Sequence, residues 1–70
     1  MDPFTQKRLL RVIEKFRGSK GELPTLADLA KEGFDKAAVD DGIRLKLIEE
    51  LYLNLTDGSV RKVYKTSSPT

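Results

Sequence analysis

The sequence predicts an α+β fold in which three helices are followed by a C-terminal β-hairpin. Three observations carry this expectation. Apolar residues recur at helical spacing as far as Leu51. Polar capping residues and glycines divide that stretch into three segments. Near the end, apolar and polar residues alternate on both sides of an Asp57-Gly58 pair.

The first helix is expected from Pro3 to Phe16. Pro3 suits a first turn, where no amide donor is needed, and Asp2 can cap it. Leu9, Val12, Ile13 and Phe16 form one apolar stripe, and Lys7, Arg8, Arg11 and Lys15 form a basic ridge opposite. Gly18 is expected to end this helix, with "GSKGELP" as the connection. A second, short helix of about eight residues starts at Thr25. There Thr25 and Asp28 resemble a capping box after Pro24. Leu26, Leu29 and Ala30 make its apolar edge, Gly33 is its left-handed stop, and Phe34 folds back behind it.

The third helix begins at Asp35, another natural cap, and two readings of its end stay open. Val39, Ile43, Leu47 and Leu51 recur every four residues, which favours a helix reaching about Glu50. "GIRLKLI" also alternates as a half-buried strand does; Gly42 would then end the helix early and a three-stranded meander would follow. The longer helix is favoured, because Glu49-Glu50 makes a poor tight turn. In the hairpin, Leu51, Leu53 and Leu55 mark a strand with one buried face. Asp57 and Gly58 are both expected to accept positive φ, and "VRKVYKT" returns as the partner strand. Residues 1–66 read as a single domain and residues 67–70 as a frayed tail.

Composition restricts function. With 39% hydrophobic residues and no run of about twenty apolar ones, no membrane span is expected. Met1-Asp2-Pro3-Phe4 lacks the basic and apolar regions of a secretory signal, so a cytoplasmic setting is the expectation. The chain has no cysteine and no histidine, which removes disulfides, thiolate metal sites and the commonest general base. The five glycines do not form a phosphate-cradling loop, and the paired acids Asp40-Asp41 and Glu49-Glu50 do not face one another. A non-catalytic protein without cofactor or metal is expected.

Charge is distributed unevenly. Residues 1–21 carry a net +4, residues 22–50 a net −4 and residues 51–70 a net +2, so two basic ends bracket an acidic middle.

The element order resembles the winged helix-turn-helix superfamily over about residues 4–66. "TLADLA" corresponds to the positioning helix, Gly33-Phe34 to the turn, "DKAAVDDGI" to the start of the recognition helix and "LYLNLTDGSVRKVYK" to the wing. The glycine usual before the first wing strand is absent, and Glu50-Leu51-Tyr52 stands there instead. The resemblance implies binding to double-stranded DNA, with helix 3 in the major groove and the wing on the backbone. Lys36, Ala37, Asp40 and Arg44 would face the groove, and Ser59, Arg61 and Lys62 would lie on the wing. Thr25 would offer backbone amides to a phosphate. Lys7, Arg8, Arg11 and Lys20 are further candidate phosphate contacts.

Arg61, Lys62 and Lys65 read equally well as charges that keep an edge strand from aggregating. Tyr52 and Tyr64 suit base stacking, or a cross-strand aromatic pair. Asp35, Asp40 and Asp41 would repel phosphates, which leaves a second reading open: a protein-interaction module using an acidic helix 3 face. The basic ends also suit RNA, and pairing into a homodimer fits either reading.

Overall fold

In a computed structural model, which describes residues 1–67, the order is α1 (Pro3–Lys20), α2 (Leu26–Lys31), α3 (Lys36–Arg44), β1 (Ile48–Asn54) and β2 (Val60–Thr66). The two strands pair antiparallel, from Ile48 opposite Thr66 to Asn54 opposite Val60. The expected three helices and hairpin are therefore present, with different limits.

α1 runs past Gly18, because a glycine weakens a helix without stopping it. The chain turns at Gly21, whose φ is +69° and whose amide donates to the Arg17 carbonyl. The connection then brings Pro24 beside β2, where its carbonyl accepts from the Tyr64 amide at 3.0 Å. α2 is six residues long and carries the full Thr25–Asp28 capping box. It ends on Gly33 at φ +91°. The Gly33 amide donates to Ala30 and the Phe34 amide to Leu29, a Schellman ending that turns Phe34 into the core.

α3 starts at its Asp35 cap as expected but stops at Arg44, so the expected helix to Glu50 is corrected. The reason lies in the period. At roughly 100° per residue, a continued helix would set Lys46 within about 20° of buried Val39 and turn Ile48 to the far side. The every-fourth-residue series from Val39 to Leu51 drifts about 40° per step and does not hold one face. Instead the Lys46 amide donates to Ile43 and the Leu47 amide to Gly42, a second Schellman ending. Lys46 takes the left-handed position at φ 61°. Ile48 then enters the core at the head of a strand. The three-stranded alternative is not found among the described residues either: residues 43 and 44 are helical, and the sheet has two strands.

The core comprises Leu9 and Ile13 of α1, Leu29 of α2, Phe34, Val39 of α3, Ile48 of β1 and Tyr64 of β2. Gly42 lets these elements meet. A Cβ there would sit 3.0 Å from Leu9 and 3.3 Å from Ile48. Ala30 is exposed and does not belong to the core.

The hairpin outruns this core. Leu53, expected on a buried face, is 43% exposed, and Val60 is 57% exposed. Its loop also differs from the expected two-residue turn. Leu55 and Ser59 close a three-residue loop through the Leu55 amide and the Ser59 carbonyl, 2.8 Å apart. Gly58 alone in that loop has positive φ, +87°; Asp57 does not share it. This is the turn-plus-bulge form of a three-residue hairpin. Asp57 instead accepts from the Ser59 amide and hydroxyl, at 2.9 and 2.6 Å. Ser67 donates its amide to the Leu47 carbonyl at 2.9 Å, and the remainder of the expected frayed tail lies outside the described residues.

Candidate nucleic-acid interface

Strand alternation divides the hairpin's cations between two faces. Lys62 stands opposite Tyr52 and Arg61 opposite Leu53, and neighbouring pairs on a ladder point to opposite sides. Arg61 and Lys62, both expected on the wing, therefore belong to different faces of it.

The Lys62 face adjoins α3. Lys36, Ala37, Asp40 and Arg44 are all exposed on that helix, as expected. Tyr64 of β2 shares the core with Val39 of α3. Burial raises its phenol above the usual value, and the charges acting on it are Lys62, Glu50, Asp40 and Lys36. Lys36 and Asp40 of α3 and Lys62 of the hairpin are thus all close enough to act on Tyr64. Tyr64 is a core residue rather than a free stacking surface, and it stands opposite Glu50, not Tyr52. Tyr52 is 62% exposed. Its hydroxyl donates to Glu50 at 2.6 Å, and the Lys62 ammonium lies 5.9 Å from its ring.

This surface is close to neutral. Lys36 pairs with Asp40 at 3.1 Å, Lys62 faces Glu50 at 3.6 Å, and Arg44 pairs with Asp41. Glu50 chiefly raises the Lys62 pKa, and the Arg44 hydrogen bond chiefly lowers that of Asp41. Asp41 also accepts from the Met1 ammonium at 3.0 Å. Asp35 caps α3 by accepting from the Ala38 amide at 2.9 Å. The three acids that looked repulsive in the sequence each have a local partner.

The second surface holds Thr25 and Arg61. Arg61 lies 3.9 Å from Glu22, and its charge reaches Asp28. The Thr25 amide already donates to the Asp28 carboxylate at 2.9 Å, and this bond is the main reason Asp28 titrates below its usual value. Asp28 therefore occupies the position expected for a phosphate. Ser59 belongs to the hairpin loop, held by Asp57.

α1 forms a third surface. Lys7, Arg8, Arg11 and Lys20 are exposed, and among the described residues no carboxylate forms an ion pair with any of them. Arg8 has a structural role that sequence reading missed. It lies over the Phe34 ring, 4.4 Å from its centroid, and donates to the Glu32 carbonyl at 3.1 Å. No pattern within α1 signals this, because both partners come from the turn after α2.

No group of three or more potential metal ligands occurs among the described residues, and none of their helices is long and apolar enough to cross a membrane. Fold and surface together define a small α+β domain bearing a helix–hairpin face and a separate cationic ridge. No family model, curated protein or solved structure matches this chain.

Proposed function

We propose that this is a small, non-catalytic DNA-binding protein of winged-helix type, acting in the cytoplasm as a transcriptional regulator or accessory factor. α3 enters the major groove of duplex DNA while the Lys62 face of the hairpin meets the adjoining backbone. One observation carries the reading: Tyr64 of β2 shares the core with Val39 of α3, and Lys36 and Asp40 of α3 and Lys62 of the hairpin all act on it. Exposed Ala37 leaves room for close approach to base edges, and Lys36 and Arg44 can exchange carboxylate partners for phosphates or guanines. Pairing of two copies would double the contacts made by so small a domain. The test is titration of labelled duplex at low and moderate salt. Binding that weakens as salt rises, and weakens further in Arg44→Ala, is expected; no binding at low salt rejects the reading.

A second reading rests on a different observation. The hairpin end is apolar and exposed at Tyr52, Leu53 and Val60, while every cation of the α3 surface stands beside a carboxylate. A protein-interaction module would use such a surface. Affinity capture that depends on Leu53 and Asp40 but not on Arg61, with no duplex binding, would favour it.

A further inference from the structure

The strongest feature outside the α3–hairpin surface is the face of α1 turned away from the core. Phe4 is 87% exposed, in the same row as Lys7, Arg11 and Lys15. Two open clefts run along this row. One, of about 290 Å³, is lined by Pro3, Phe4, Lys7, Arg8 and Arg11. The next, of about 350 Å³, shares Arg11 and adds Lys15, Lys20 and the half-buried Phe16. Each cleft thus combines one phenylalanine with several cations, and the two rings lie roughly 18 Å apart along the helix. Among the described residues, Glu32 is the only carboxylate lining either cleft.

We propose that this ridge binds single-stranded nucleic acid, with bases stacking on Phe4 and Phe16 and phosphates following Lys7, Arg11 and Lys15. Among the described residues no carboxylate forms an ion pair with Lys7, Arg11 or Lys15, and such a chain of cations calls for a polyanion. The exposed ring narrows the choice, because the faces of duplex bases are already stacked, whereas those of a single strand are open to an aromatic side chain. A lipid surface fits less well. A membrane-surface helix needs a broad apolar face, and the apolar stripe of α1 is committed to the core through Leu9 and Ile13. No residue of α3 or the hairpin lines either cleft among the described residues, and the proposal stands or falls independently of the duplex reading.

The experiment is fluorescence anisotropy of the full chain with a labelled oligothymidylate about 20 nucleotides long. Duplex DNA and phosphatidylserine vesicles serve as parallel probes. Oligonucleotide binding is expected, with a log–log salt slope of about −2 for three released counterions. Phe4→Ala should weaken it about tenfold, and Lys7→Ala with Arg11→Ala should flatten the slope. Phe4 is exposed and alanine favours helix, so an unchanged melting temperature accompanies this loss. Duplex binding should fall in Arg44→Ala and not in Phe4→Ala. No oligonucleotide binding at low salt overturns the proposal, as does equal binding by Phe4→Ala, or binding to vesicles alone. Duplex binding without oligonucleotide binding defeats this inference and leaves the α3 reading intact; the converse does the reverse.

Discussion

The guanidinium of Arg8 lies 4.4 Å from the centre of the Phe34 ring and ties α1 to the turn between α2 and α3. Phe34 is fully buried, so Arg8 forms part of its cover. Arg8→Ala removes the cation–ring contact and the hydrogen bond to Glu32, and should destabilise the fold by about 1–2 kcal/mol. Arg8→Lys should recover part of this, since an ammonium cannot both stack and donate in that geometry. Urea denaturation of the three proteins checks it.

Two helical glycines should respond oppositely to the same substitution. Gly18 lies within α1 with no atom near its missing Cβ, so Gly18→Ala should stabilise by about 1 kcal/mol, a rise of about 5 °C in melting temperature. At Gly42 the added methyl meets Leu9 and Ile48, both fully buried. Overpacking there should outweigh the propensity gain and leave Gly42→Ala less stable by about 1 kcal/mol. Thermal melts of both variants decide the signs.

Lys46 occupies a conformation that favours glycine, with φ at 61°. A side chain there costs about 1–2 kcal/mol, and glycine returns part of that gain through a freer unfolded chain. Lys46→Gly should therefore stabilise by about 0.5–1 kcal/mol. Lys46→Val, β-branched, should destabilise. Equilibrium unfolding of the two against the parent tests the assignment.

These positions show how much was legible in the sequence. Caps depend on local chemistry, so Asp2, Thr25–Asp28 and Asp35 were all readable, as was the Gly33 stop. The end of α3 was not, because no glycine marks Lys46. What decides it is Ile48 reaching the core, a contact between residues distant in the chain. The α3 face was legible from helical spacing. The division of Arg61 from Lys62 follows from strand alternation, but which surface each meets depends on how the hairpin leans on Pro24 and α3. The neutralising partners Glu22 and Glu50 come from outside β2 and leave no local signature.

Asp28 supplies a pH test. Its carboxylate accepts from the Thr25 amide and titrates below the usual 3.8. A folded pKa below the unfolded one stabilises the fold above about the unfolded value, and that contribution is lost as pH falls through the folded value. The parent should therefore be more stable than Asp28→Asn near neutrality, with the gap closing as pH drops below about 4. Asp2, Asp41 and Asp57 are lowered as well and shape the acid limb of both proteins, so the difference between the two curves isolates Asp28. A gap that persists unchanged into strong acid would refute the assignment.

Arg61 and Lys62 are adjacent in sequence, and duplex binding should tell them apart. Lys62 and Lys36 both act on Tyr64, so on the proposed duplex reading Lys62→Ala removes one phosphate contact beside α3. The salt slope should become shallower by about one, with affinity reduced several-fold. Arg61 stands on the other face, near Glu22 and the Asp28 cap, and Arg61→Ala should change duplex affinity less. Asp40→Lys replaces the carboxylate that neutralises Lys36 by a second cation on the same surface, and should tighten duplex binding. A protein partner recognising the acidic side of α3 demands the reverse: loss on Asp40→Lys and indifference to Lys62→Ala. Measuring the four proteins against one labelled duplex at two salt concentrations separates these outcomes. Equal losses from Arg61→Ala and Lys62→Ala would mean that both faces of the hairpin contact DNA, which a single face beside α3 does not allow.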